Sequence, residues 1–315
     1  MLTALDEQGH IISLLERLPT AKTFFCPACH SPLRLKNGHF KRPHFAHVTL
    51  KHCSVYGENE SAQHLSLKAS LYHNLSQTQK VVIEQYIPSL NQVADLLVND
   101  CLALEVQLSS MSFLALAKRT KSYQEQGYQV RWLLGEKLWL KKRLTTLQKQ
   151  FLYFSWTMGF HLWEIDEKRA ELRLQYMIHE DLFGKVVYLT KTCSFNQDIM
   201  TFLRSPYQKQ LLKLSQKMDT KLLEKIQKAL FMKNTRWLQQ QEEAYLKGDN
   251  ILSWPVTRFF PQFHPITSEQ GFLQIQDDLS VYYKSFERYY KKEPNKRVQT
   301  HFSPLYYGKM EKNRN

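Results

Sequence analysis

Apolar positions recur along this chain with two periods, and their alternation outlines an α/β unit. Residues 1–20 begin as a hairpin-like segment with an apolar run at Ile11, Ile12, Leu14 and Leu15. Across 58–77, Leu65, Leu67, Leu71 and Leu75 form a stripe at helical spacing. Three strand-like runs follow: 81–87 (VVIEQYI), 92–98 (QVADLLV) and 102–108 (LALEVQL). Residues 112–126 return to the helical period and stop at Gly127, and 128–134 (YQVRWLL) reads as one more strand. The expected order is helix, three strands, helix, strand, in an α/β domain that closes near residue 140. Beyond it, 151–195 alternates as strands do, for example at Leu172, Leu174, Tyr176 and Ile178. Leu211, Leu214, Met218, Leu222, Ile226 and Leu230 predict a helical region over 207–248.

Composition sets outer limits on this picture. The 315 residues suffice for two domains, and 43% apolar with 13% aromatic residues can bury real cores, which argues against disorder. No run reaches the roughly 20 apolar residues of a membrane-spanning helix; the nearest, 151–163, contains Gly159 and His161. The N-terminus lacks the basic region and apolar run of a secretory signal, so a cytoplasmic location is expected.

Charge is uneven. Lys and Arg number 13 against 11 Asp and Glu up to Glu136, and 30 against 18 from Lys137 onward. A basic half joined to a near-neutral half points to a polyanion, nucleic acid before an anionic membrane surface. The plainer alternative is a solvated basic face. The last forty residues interleave cations with aromatics (YYKSFERYYKKEPNKR) and are expected to end in a frayed tail.

Five cysteines, an odd count without an export signal, argue against a disulfide framework. Cys101 and Cys193 stand alone and read as small core residues. The other three crowd between Cys26 and Cys53. Cys26-Pro-Ala-Cys29 has the spacing by which a tight knuckle presents two thiolates to one metal. A second pair of ligands should lie about fifteen to thirty residues on, where His44, His47, His52 and Cys53 stand. Cys26, Cys29, Cys53 and one histidine are therefore expected to hold a closed, structural zinc site. The competing reading is reduced cysteines on a hairpin with exposed histidines.

Carboxylates inside apolar strands call for a cause, because burying one costs several kcal/mol unless it is paired or metal-bound. Asp95 lies in VADLLV, and Glu105 with Gln107 in LALEVQL. If Asn99, Asp100 and Cys101 form a three-residue turn, Asp95 falls opposite Glu105 and Val93 opposite Gln107. That register leaves Ala94, Leu96, Val98, Leu102, Leu104 and Val106 as an unbroken apolar face. A two-residue turn would scatter the polar groups over both faces. Two facing carboxylates repel unless a cation lies between them, and magnesium is the natural one. Glu60, His64 and Lys68 add a further charged row at four-residue steps on the first helix. The alternative is an exposed hairpin face on which Asp95 and Glu105 meet solvent or basic side chains.

The ordered set of motifs resembles the CoiA-like competence proteins of naturally transformable Gram-positive bacteria. It comprises Cys26-Pro-Ala-Cys29, Pro43-His44-Phe45-Ala46-His47, Glu60-x3-His64-x3-Lys68, Ala94-Asp95, Glu105-Val106-Gln107, and Arg119-x3-Tyr123 before a strand with Trp132. The resemblance is strong over 1–140 and loose beyond. Charge and periodicity mark 141–315 as a basic, mostly helical α+β C-terminal domain; the resemblance implies an N-terminal zinc-finger-like module (1–56) and a restriction-endonuclease-like PD-(D/E)xK domain (57–140). It further implies that His47 joins Cys26, Cys29 and Cys53 on zinc, that Glu60 is the helix-borne acid, and that Asp95 and Glu105 hold catalytic Mg2+ or Mn2+. Gln107 stands where the wider nuclease pattern has lysine. It can orient a water but supplies no charge, so Lys68 or Lys121 is the candidate cation. His64, Lys68, Arg119, Lys121 and Tyr123 are expected to contact nucleic acid.

The function expected on these grounds is DNA processing in transformation and recombination, by metal-dependent phosphodiester cleavage. The alternative is a non-catalytic DNA-binding recombination factor that keeps the nuclease fold, and a third class is an adaptor for other recombination proteins. The partner implied is DNA, single-stranded or branched.

Overall fold

Five short strands come first and form their own small sheet, with Cys26 and Cys29 in the turn between the third and fourth. The structure, a computed structural model, describes residues 1–16, 18–20, 22–39, 41–49, 53 and 60–312. β1 (Thr3–Leu5), β2 (Ile11–Ser13), β3 (Phe24–Phe25), β4 (Pro32–Lys36) and β5 (His44–His47) pair in the order β2-β1-β3-β4-β5. Their core is slight: among the described residues, Met1, Ala4, Phe24, Cys26, Leu33 and Phe45 form its buried apolar cluster.

The αβββαβ succession follows. α1 (Ala62–Leu75) starts where Ser61 accepts a hydrogen bond from His64 N, so Glu60 precedes the helix instead of lying in its first turn. β6 (Val81–Ile87), β7 (Gln92–Val98) and β8 (Leu102–Gln107) are antiparallel neighbours. α2 (Phe113–Glu125) then carries the chain back to β9 (Gln129–Leu134), which runs parallel to β8. The β7–β8 register is Leu96 with Leu104, Leu97 with Ala103 and Val98 with Leu102, around a turn with Asn99 and Asp100 at φ 50° and 56°. Asn and Asp tolerate this left-handed region better than most side chains, and the apolar alternation fixes the same register from the strand side.

The sheet does not close near residue 140. After α3 (Thr146–Lys149) come β10 (Tyr153–Ser155), β11 (Gly159–Asp166), β12 (Glu171–Asp181) and β13 (Val186–Ser194). β11 adds to β9 in parallel through Trp163 with Leu133 and Glu164 with Leu134, giving the order β13-β12-β11-β9-β8-β7-β6. The expected boundary therefore falls inside one nine-stranded sheet. The pattern showed the strands but not their partner, because β9–β11 pairing is non-local.

The C-terminal part also departs from the pattern. α4 (Ile199–Arg204) runs into a short 3-10 turn ending at Tyr207 and is followed by β14 (Lys213–Lys217), so 208–221 is not helical. Helices begin only at α5 (Leu222–Phe231) and continue as α6 (Thr235–Tyr245), around a separate core with Leu222, Ile226 and Trp237. The stripe is genuine at Leu222 and Ile226; Leu214 instead sits in β14, opposite His301. β15 (Phe263–Pro265) pairs with β12, and β14 pairs with β16 (Val298–Phe302). Between them α7 (Ser280–Lys292) turns Tyr282, Phe286 and Tyr290 into the main core, and α8 (Pro304–Lys312) packs against α7. The basic, aromatic segment is thus built of helix and strand through residue 312, its aromatics serving packing, and the last three residues of the tail expected to fray lie outside the described residues. Cys193 is buried as expected, whereas Cys101 is exposed. Among the described residues, no helix is long and apolar enough to cross a membrane.

Candidate functional site

β7 and β8 part company just beyond the Leu96–Leu104 pair, and the Asp95 carboxylate occupies the gap. Its Oδ2 accepts the Val106 N–H at 2.8 Å. His64, one turn into α1, spans the same gap: Nδ1 lies 2.9 Å from Glu60 Oε1, and Nε2 lies 3.1 Å from Asp95 Oδ2 and 3.0 Å from Val106 O. An imidazole facing acceptors at both nitrogens carries both protons. Burial opposes that charge, but Asp95 and Glu60 outweigh it and lift the His64 pKa to about 10.

Lys68, one further turn along, is completely buried. Its ammonium bonds Glu60 and, at 2.5 Å, Glu84 Oε1, and stands 3.8 Å from Asp95 Oδ1. These carboxylates keep it charged despite full burial. The Met1 amine completes the set at 2.9 Å from Glu60 Oε2. Burial would raise the acids, but Lys68 and His64 hold Glu60 far below the usual carboxylate range, and His64 and Lys68 hold Asp95 at about 2.

Glu84 was not singled out in the sequence, although it carries the same signal as Asp95: a lone carboxylate in an apolar strand. It sits mid-β6 at φ 52°, a strained conformation for a side chain of its size, and is 3% exposed. Besides Lys68 it accepts Leu2 N at 2.7 Å, Thr3 N at 2.9 Å and Thr3 Oγ1 at 3.0 Å. Glu84 therefore ties the N-terminal module to the acidic cluster.

Glu105 faces a different partner set. Arg119 Nη2 donates to its Oε2 at 2.7 Å, and the Tyr123 hydroxyl to its Oε1 at 2.5 Å. Burial raises the Glu105 pKa, against the pull of Arg119. The repulsion between Asp95 and Glu105 is thus relieved by side chains on either flank: His64 and Lys68 for one, Arg119 and Tyr123 for the other. The compact group of potential metal donors is Glu60, His64 and Asp95, whose ligand atoms lie within 4.8 Å of one another, and Glu105 is not in it. Gln107 donates to Ser109 O at 2.6 Å. Lys121 is exposed on α2, whereas Lys68 and Tyr123 are too deeply buried to touch a nucleic acid. Their expected DNA contact is corrected accordingly: both are internal partners of the acids.

In the N-terminal module, Cys26, Cys29, His47 and Cys53 bring one ligand atom each within the same 4.8 Å limit. Cys29 Sγ and His47 Nε2 are 3.4 Å apart. His44 instead turns its Nδ1 to Arg42 O at 3.0 Å, and His52 lies outside the described residues. Burial pushes the Cys26 thiol up to about 12. A thiol so placed needs a cation to become a thiolate, and the four groups have the chemistry of a site that could hold zinc.

Residues 9–56 match the N-terminal domain of competence protein CoiA, and residues 60–197 match its nuclease-like domain. Together they cover more than half of the chain. The chain belongs to the CoiA-like competence protein family. It is 36% identical over 118 residues to competence protein CoiA of Bacillus subtilis (strain 168), a stretch that spans 36% of this chain and 32% of that protein. No solved structure matches. The nuclease-like match continues through β10–β13, in keeping with a sheet that crosses residue 140.

Proposed function

We propose that the chain processes DNA during natural transformation, as a divalent-metal-dependent nuclease whose site is built on Glu60, His64 and Asp95. The observation that carries the reading is the convergence of these three, with Lys68, on the gap between β7 and β8. Two carboxylates suit Mg2+ or Mn2+; His64, which carries both protons here, would join them only by giving one up. Such an ion, when bound, polarises a phosphodiester and activates water. The chain's own groups do the rest. Lys68, fully buried, fixes Glu60 and Asp95 by its charge and does not reach a phosphate, so the role the wider pattern assigns to the position of Gln107 is not taken by it. Arg119, part-exposed at 32%, holds Glu105 on one side and can meet a phosphate on the other. Glu105 would join the metal only by releasing Arg119.

A structural zinc ion on Cys26, Cys29, His47 and Cys53 belongs to the same proposal. One observation favours a second reading, the non-catalytic DNA platform. Glu60, Glu84 and Asp95 are already matched by His64, Lys68 and the Met1 amine, so the cluster is neutral without a metal.

The discriminating experiment incubates labelled single- and double-stranded DNA with the chain in Mg2+, Mn2+ or EDTA. Asp95→Asn keeps size and hydrogen bonding but loses the charge. It should lower cleavage at least about a hundredfold, of the order seen when a key electrostatic group is removed, and leave DNA affinity nearly unchanged. Cleavage that survives Asp95→Asn would move the active site elsewhere. Equal inertness of wild type and variant with every ion would establish the platform.

A further inference from the structure

A cleft of about 500 Å³ opens where β9 begins, against the C-terminal end of α2 and residues 274–277. None of the acidic cluster lines it. Arg131 lies between two tyrosine rings, its guanidinium carbon 5.0 Å from the centroid of Tyr153 and 5.3 Å from that of Tyr207. It donates to the Tyr207 hydroxyl at 2.9 Å and to Val130 O at 3.0 Å. Tyr153 is itself fixed, its hydroxyl accepting from Trp132 N at 2.9 Å and donating to Val130 O at 3.1 Å.

Four glutamines share the lining. Gln124 gives its amide to Leu273 O, and Gln274 gives its own to Thr120 Oγ1 and Gln150 O. The buried Gln274 Oε1 is left without a hydrogen-bond partner among the described residues. Gln129 and Gln276 are exposed to an incoming molecule.

An anion fits this cleft poorly: Arg131 is already packed and donating, and Asp277 stands in the same lining. A flat heteroaromatic ring fits well. Tyr207, half exposed and backed by Arg131, offers its open ring face to the π surface, and carboxamides offer both donors and acceptors to the edge. The size lies within the range of small-molecule sites, about 300–1,000 Å³.

We propose that this cleft receives one unpaired nucleobase of a single-stranded DNA segment. The proposal rests on the DNA reading above and specifies its substrate: a strand with splayed bases, held at a point separate from the acidic cluster.

The test compares equilibrium binding of the full chain to two oligonucleotides of equal length and charge, one intact and one abasic throughout. Stacking of one base corresponds to roughly fivefold to hundredfold in affinity. Tyr207→Ala should reduce the preference for the intact strand by a factor in that range and leave abasic binding unchanged. Gln129→Ala and Gln276→Ala alter exposed side chains only, and each should reduce it by a smaller factor; they carry the test if Tyr207→Ala does not fold. Undiminished preference in all folded variants, with binding retained, would overturn the cleft and leave the DNA reading standing. Failure of wild type to bind either strand at low salt would overturn both.

Discussion

Lys68 shows how much of the site is settled by single side chains. An ammonium with no exposure survives only because Glu60, Glu84 and Asp95 surround it. Lys68→Met would leave these carboxylates buried without their shared cation, which costs about 3–5 kcal/mol when one partner of a buried pair is removed; denaturant titration should register a loss of that size. Buried histidines produce a different effect. Burial lowers His161 to about 3 and His179 to about 4, and holds His301 well below its ordinary value. The unfolded chain takes up these protons near pH 6.5 while the native chain refuses them, so stability is full above that pH and falls as pH drops from 6.5 toward 4. His64 works in the opposite sense: its raised pKa adds stability below 6.5 that is lost as pH rises through about 10. Denaturation midpoints measured between pH 7 and 4.5 should therefore decline, and His161→Phe should flatten the decline. An unchanged slope in that variant would mean His161 does not titrate as its burial dictates. Asp95 and Glu105 were legible in the sequence because a carboxylate stands out in an apolar strand. Their partners were not, since His64, Arg119 and Tyr123 reach them only after α1 and α2 dock.

Elements were readable wherever neighbours in sequence are neighbours in space. The β7–β8 register followed from alternation and a three-residue turn, and α1, α2 and β9 lie within a few residues of their expected limits. Where pairing is non-local the pattern misled, as at β14, whose partner β16 is some eighty residues away. The N-terminal strands raise a separate question, because among the described residues their buried apolar core is small for five strands. A metal bound by Cys26, Cys29, His47 and Cys53 would supply the missing stability. Chelation is then expected to open β3–β5 first and, through β1, to free Leu2 N and Thr3 N from Glu84. Hydrogen exchange should show both amides losing protection together with Phe45, whose N–H bonds Met1 O. Native protein with no zinc by elemental analysis, or amides at Leu2 and Thr3 that stay protected after chelation, would reject this coupling.

At the scale of the whole molecule, the basic half of the sequence is continuous with the sheet that carries the acids. β11 is joined to β9, and α7 packs its aromatics into the same core. The interleaving of cations and aromatics in that helix therefore separates by face: Tyr282, Phe286 and Tyr290 point inward, while Lys291 and Lys292 are exposed beside Lys296 and Arg297 just beyond. Sequence composition could reveal the charge but not this division, which depends on which side of α7 meets the sheet. The four exposed cations make the electrostatic part of DNA binding separable from the fold. Replacing all four with alanine removes no buried group, so thermal stability should change little. Affinity for DNA should fall at low salt, because each neutralised phosphate releases a counterion. The log–log dependence on salt should flatten by about 0.9 per lost contact on duplex and about 0.7 on single strands. Full engagement of all four would change the duplex slope by between three and four; a smaller change counts how many touch phosphate. A slope identical to wild type would take the backbone track away from this edge and leave other exposed cations to meet DNA, Lys121 and the part-exposed Arg119 of α2 among them.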